Sequence, residues 1–428
     1  MHLYIQLASL LIIVAYVIML FRNIDPLVAT AICVVLGFLF NHSTPLEIGK
    51  VMSDALGSFM ALVGFIIMLG RGLGEVLTET RVSHNIVQKI VYGVGVNTQT
   101  RVKIGIILSS FVIVGVLGTL AGGLAILAPS LRPIAGSVRL SRPGLAVLMQ
   151  ASAEEALIIG PFAPPVVAIL GLTGLNYSSL LIYASLPIAL VTLITTWIMA
   201  DRLQKQYPNE LCEHNQNEDT FIPTIRQNAA TLVFILAFGA CIIYGLLFNA
   251  KTSFVIFVML FLAFITGYTS CLTTKKIFEL LVRGMQKNLH LFFLFVLFDP
   301  FMNLIQSAGG FSALTQILTP LMHLGGKPVL SIIIGFTGAF GMPGAAEGTI
   351  KMLYQIFSPG AMTLKLSMTS FALSMLFATR VTNYAYPGPN MFAAMGYAGS
   401  ENIKAMIKNG LTVTLVQIVF LVGYSLCI

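Results

Sequence analysis

Long apolar runs alternate with short polar breaks along the chain. In the first part the runs cover residues 3–21, 25–40, 59–77, 103–127 and 179–200, with an interrupted run at 145–172. In the second part they cover 231–247, 254–270, 289–306, 330–340 and 406–427, with an interrupted run at 366–396. A hydrocarbon core about 30 Å thick needs about 20 residues of helix to cross it. The pattern therefore predicts an all-α polytopic membrane protein with about ten spans, two re-entrant hairpins and two broken helices.

The order of events repeats. FIIMLGRGLGEVL (65–77) aligns without a gap on FLFVLFDPFMNLI (293–305), and GPFAPPVVAILG (160–171) aligns on AYPGPNMFAAMG (385–396). The second pairing matches Pro164 with Pro389, Ala168 with Ala393 and Gly171 with Gly396. Between the copies lies DRLQKQYPNELCEHNQNEDTFIPTIRQ, which reads as a solvated linker. The division is thus a first repeat at 1–200, a linker at 201–227 and a second repeat at 228–428.

Charge orients the copies. Loop 79–103 carries Arg81, Lys89, Arg101 and Lys103, whereas its counterpart at 309–327 carries only Lys327. The preceding loops reverse the bias, with Lys50 alone in 41–56 but Lys275, Lys276, Arg283 and Lys287 in 271–287. Basic loops face the cytoplasm, so the copies are expected to be inverted, with the linker cytoplasmic and both termini outside. Inverted repeats of this kind place a binding site at the repeat interface near the bilayer midplane.

Composition narrows the function classes. Only 9% of residues are charged against 57% hydrophobic, so soluble folds are set aside. The formal net charge of +8 comes from basic residues in short loops, not from a nucleic-acid-binding face. The opening run lacks a basic leader and a cleavage site, and reads as a retained span. Five scattered cysteines show no metal or redox spacing, and no phosphate-loop, zinc-hydrolase or serine-hydrolase motif is present. An enzyme is not expected, nor a cofactor beyond Na⁺ or H⁺ as a coupling ion.

The candidate chemistry sits in the interruptions. ASAEEALIIGPFAPP (151–165) puts Glu154 and Glu155 ten residues past the Arg142-Pro143-Gly144 break, about 15 Å along a helix and so near mid-bilayer. A carboxylate there costs about 2.5–3.5 kcal/mol unless it meets a cavity, a partner or a proton. Pro161, Pro164 and Pro165 are expected to break the helix and free backbone groups, which survive at that depth only if buried in protein or lining a cavity. In the second copy ATRVTNYAYPGPN places Thr379 and Arg380 opposite the glutamate pair, followed by Thr382, Asn383 and Asn390.

Glycine-rich stretches at LGTLAGG (117–123) and GAFGMPGAAEG (338–348) read as hairpin tips, because glycine lets backbone approach a ligand. They contribute Thr119, Gly122, Gly123 and Glu347. Asp299 is a further ion-coupling candidate, with Pro300 expected to break the helix behind it, and Arg71 is expected to pair with Glu75 one turn away.

At these residues the chain resembles the ion transporter superfamily, which holds citrate, gluconate and C4-dicarboxylate carriers and a sodium/proton antiporter branch. GPFAPPVVAILGLTGLNYSSLLIYASLPIALVTLITTW (160–197) is similar to the family stretch that follows its first hairpin, and PGPN (387–390) resembles the second break. Sodium-dicarboxylate members carry Ser-Asn-Thr at the tips, whereas the first tip here supplies only the Thr119 hydroxyl. The glutamates look closer to an antiporter or amino-acid/citrate-type branch.

The expectation is a secondary transporter in the inner (plasma) membrane that moves a small carboxylate or amino acid with H⁺ or Na⁺. Thr119, Gly122, Gly123, Thr379, Arg380, Thr382, Asn383 and Asn390 would bind the substrate. Glu154, Glu155, Asp299 and Glu347 would couple the ion. A sodium/proton antiporter without organic substrate is the alternative, and a homodimer is a further expectation.

Overall fold

Serine and threonine side chains start many of the helices. Ser58, Thr98, Ser141, Thr273 and Ser367 each accept a backbone N–H of the first turn, satisfying donors that a helix start otherwise leaves open. Thr44 and Glu47 close a full capping box on an amphipathic helix, Pro45–Leu56, between two spans. The computed structural model describes residues 2–22, 24–213, 222–341, 345–385 and 387–426. Among these the regular structure is helical, apart from one isolated bridge between Ser141 and Leu211.

Seven of the described helices are long and apolar enough to cross a membrane, and four shorter apolar helices accompany them. The protein is an all-helical multi-pass membrane protein. Its first span is two helices, His2–Ser9 and Leu11–Phe21, where the sequence predicts one. The order of elements recurs: Pro26–Phe40, Pro45–Leu56 and Phe59–Glu79 in the first half correspond to Phe254–Thr269, Thr274–Lys287 and Leu289–Ser307 in the second.

Each half then carries a hairpin and a broken span. The first hairpin runs through Gln99–Leu117 and Leu120–Ser137. Its two ends meet where Gln99 Nε2 donates to the Val138 carbonyl at 3.1 Å. The turn is Gly118-Thr119 alone; Gly122 and Gly123 lie inside the second arm. The second hairpin runs through Gly310–Thr337, kinked at Gly326, and Ala346–Thr363. Residues 342–344 of the expected second tip lie outside the described residues, as do 214–221 of the linker and Cys427.

The broken spans are Arg142–Ile159 with Pro164–Thr173, and Met368–Tyr384 with Pro389–Ala398. The breaks fall at 160–163 and 385–388. Pro164, Pro165 and Pro389 begin the second helices, where a missing N–H costs nothing. All residues from Pro143 to Ile158 and from Ser370 to Tyr384 are buried, so these two helices form the centre of the molecule. One expectation fails at Pro300: the helix Leu289–Ser307 continues through it, its buried surroundings tolerating the lost bond.

Close backbone approach sets the hairpins on the breaks. Gly118 has φ +65°, and a Cβ there would lie 2.6 Å from Pro164 Cδ. A Cβ on Gly160 would lie 2.6 Å from the Gly115 carbonyl. In the second half Thr382 Oγ1 donates to the Gly338 carbonyl, holding that hairpin against the other break. Gly118→Ala is therefore expected to destabilise the protein by more than about 1 kcal/mol, seen as a lower melting temperature in detergent. An unchanged melting temperature would show that the tip is not clamped.

Candidate functional site

The helices Arg142–Ile159 and Met368–Tyr384 meet through buried polar side chains, with Arg380 among them. Its side chain, Glu154 and Glu155 are all 0% exposed. Arg380 Nη1 is 3.0 Å from Glu154 Oε2 and 3.6 Å from Glu155 Oε1, and it donates to the Glu154 carbonyl at 2.9 Å. Nε and Nη2 donate to Thr379 Oγ1 at 3.4 and 3.3 Å. One guanidinium thus balances one of two buried carboxylates, and the trio keeps one formal negative charge when both are ionised.

The glutamates differ in surroundings. Glu154 accepts from Asn383 Nδ2 at 2.9 Å and from Asn390 Nδ2 at 2.7 Å, and it lines a cavity of about 270 Å³. Glu155 turns away from that cavity and accepts from the Tyr384 hydroxyl at 3.3 Å, while its Oε2 has no hydrogen-bond partner. Adjacent residues on a helix point about 100° apart, which is how a Glu-Glu pair supplies one wall group and one core group.

Both halves build the cavity. The first hairpin contributes Gly118 and Thr119 of its turn and Gly122 of its second arm, the first broken span Glu154 and Pro165, the second hairpin Ala346 and Glu347, and the second broken span Asn383 and Asn390. Its volume is close to the lower end of the roughly 300–1,000 Å³ usual for small-molecule sites. Of the sequence candidates, Thr119, Gly122, Glu154, Glu347, Asn383 and Asn390 come together here. Gly123 packs on Val114, Thr382 tethers the second hairpin, and Thr379 and Arg380 lie behind Glu154.

The donors of Arg380 are divided between the glutamates and Thr379 Oγ1, so the side chain expected to grip a substrate carboxylate is already occupied. Asp299 also sits apart from the cavity. It pairs with the nearly buried Lys351 of the second hairpin and accepts from Asn303 Nδ2 at 2.9 Å. The nearest sequence signal for that pairing is the single lysine inside an apolar helix.

Two cations on the cavity wall, Arg71 and Lys287, were not candidates on sequence grounds. Helices Phe59–Glu79 and Thr274–Lys287 touch through glycine: a Cβ on Gly284 would lie 2.6 Å from Gly72 Cα. That contact brings Arg283 and Lys287 onto Glu75 at 2.8 and 2.6 Å. Arg71 does face Glu75, as expected, but at 3.9 Å. Arg71 and Lys287 also line a neighbouring cavity of about 650 Å³ with Glu75, Glu79, Arg81 and His84. Among the described residues no cluster of His, Cys, Asp and Glu could hold a metal ion.

Residues 1–200 match the Na⁺/H⁺ antiporter family. The YdaH transporter of Alcanivorax borkumensis has a similar fold, with a TM-score of 0.61 at 17% identity over 93% of this chain and 98% of that one. No curated protein matches the chain. The family matched by residues 1–200 supports a secondary transporter, and the likeness to the YdaH transporter extends the shared fold over nearly the whole chain.

Proposed function

We propose that the chain is a secondary active transporter for a small carboxylate-bearing substrate, coupled to H⁺ or Na⁺, in the cell inner membrane. The observation that carries this reading is the cavity lined by both hairpins and both broken spans, which holds carboxylates, amides and cations together. A site for a bare ion needs no such mixture. In this reading Glu154 carries the coupling ion. Its carboxylate exchanges a proton or sodium while Asn383, Asn390 and Arg380 hold its geometry, and Arg380 keeps the empty site from presenting two unbalanced charges. The two halves act as inverted copies that alternate access around the fixed cavity, and a homodimer is the proposed assembly.

A second reading, sodium/proton antiport without organic substrate, draws support from the family matched by residues 1–200. A thermal-shift screen of purified protein against carboxylates, amino acids and sodium separates the two. An organic ligand at about 100 times its Kd stabilises by about 2.7 kcal/mol. A shift with sodium alone, and with no organic compound, would favour the second reading.

The orientation proposed has its own test. Single cysteines placed in 201–227, after removal of the native cysteines, are expected to resist an impermeant thiol reagent in intact cells and to react once cells are opened. Labelling in intact cells would put the linker outside and overturn the inverted arrangement.

A further inference from the structure

The cavity wall carries both signs. The cations Arg71 and Lys287 line it together with the start of the helix Leu120–Ser137 and with the carboxylates Glu154 and Glu347. The Arg71 guanidinium lies over the first hairpin tip, where a Cβ on Gly122 would be 2.5 Å from its Nη1. Its one ionic contact among the described residues is the 3.9 Å approach to Glu75, whose oxygens are held more closely by Arg283 and Lys287. The fork of Arg71 is thus available to a ligand in a way that the fork of Arg380 is not.

The helix Leu120–Ser137 adds open backbone donors. Thr119 is its N-cap but makes no side-chain cap bond, and Thr119 Oγ1 has no partner. The first intrahelical bond is Gly123 N to the Thr119 carbonyl at 3.0 Å. The amides of Leu120, Ala121 and Gly122 therefore remain unpaired within the helix and lie in the cavity wall. A helix start with open amides favours an anion, and a planar guanidinium beside it matches a carboxylate. Glu347 on the same cavity wall is 6% exposed, whereas Glu154 is paired with Arg380 and accepts from two amides.

We propose that the cavity takes a zwitterion, an α-amino acid. Its carboxylate is held by Arg71 and the first-turn amides of Leu120–Ser137, and its ammonium group by Glu347, which leaves Glu154 to the coupling ion. A plain organic anion satisfies only the first set of contacts and leaves Glu347 facing a non-polar group; an amine satisfies only the second. This assignment rests on the reading of the cavity as a substrate site and narrows its substrate class.

The test is equilibrium binding to the purified full-length chain in detergent. The probes are the twenty common L-amino acids, followed for the tightest binder by its des-amino acid and its decarboxylated amine. Each analogue is expected to bind about ten- to a hundredfold more weakly, as the loss of a charge-assisted contact implies. Arg71→Gln should bind the amino acid and the amine equally, while still preferring the amino acid over the des-amino acid. Glu347→Gln should show the opposite pattern. If Arg71→Gln is not recovered as a monodisperse protein, Arg71→Lys serves, with partial loss of the same preference expected.

A des-amino acid that binds as tightly as the amino acid would overturn the zwitterion while leaving carboxylate transport standing. Unchanged discrimination in the Arg71 variant would remove Arg71 as the carboxylate anchor. If no amino acid or carboxylate binds while sodium does, both this proposal and the organic-substrate reading fail.

Discussion

Arg380→Ala is expected to leave little folded protein. The substitution strands Glu154 and Glu155, both fully buried, with no cation between them. Breaking a buried ion pair by removing one partner costs about 3–5 kcal/mol, a large share of the 5–15 kcal/mol that holds a typical domain together. Expression and melting temperature measure the loss. The triple variant Arg380→Met with Glu154→Gln and Glu155→Gln removes all three charges, and should recover folding without recovering coupled transport. Arg380→Lys should be intermediate in stability, since one ammonium cannot reach Glu154, its carbonyl and Thr379 together. Wild-type melting of Arg380→Ala would mean that the glutamates are not held by Arg380.

Much of this centre was legible in the sequence, and the reason is thermodynamic. Carboxylates, an arginine and clustered prolines inside apolar runs are too costly to be incidental, so Glu154, Glu155, Arg380 and the breaks near Pro161 and Pro387 announce themselves. What sequence does not carry is direction across the fold. Residues 154 and 380 are 226 positions apart, and nothing along the chain says that the fork of Arg380 faces the glutamates instead of a ligand.

The same limit hid other pairings. Lys351 on Asp299 depends on how the second hairpin packs against Leu289–Ser307. Arg71 and Lys287 reach the cavity only because Gly72 and Gly284 let two helices touch. Pro300 was misread since a proline breaks an isolated helix more readily than a buried one.

The second large effect is expected at the glutamate pair. Glu154 lines the cavity and Glu155 does not, so their amide variants should separate. Glu154→Gln is expected to abolish gradient-driven uptake while leaving counterflow of pre-bound substrate, because exchange need not return an empty, deprotonated carrier. Glu155→Gln keeps the cavity wall and a hydrogen-bonding group beside Tyr384, so its counterflow and substrate affinity should stay near wild type. Gradient-driven uptake at wild-type rate in both variants would make the pair bystander lining, and the coupling role would pass to Glu347 or Asp299.

In the function proposed, an ion gradient drives an organic substrate through the cavity between the two halves. The direct measurement is uptake of radiolabelled amino acids and carboxylates into proteoliposomes carrying the wild-type chain, with a pH or sodium gradient imposed in turn and with none. Accumulation above equilibrium in at least one gradient, absent from empty liposomes and from Glu154→Gln, is the predicted result. Sodium-driven proton movement with no compound accumulating under either gradient would contradict it.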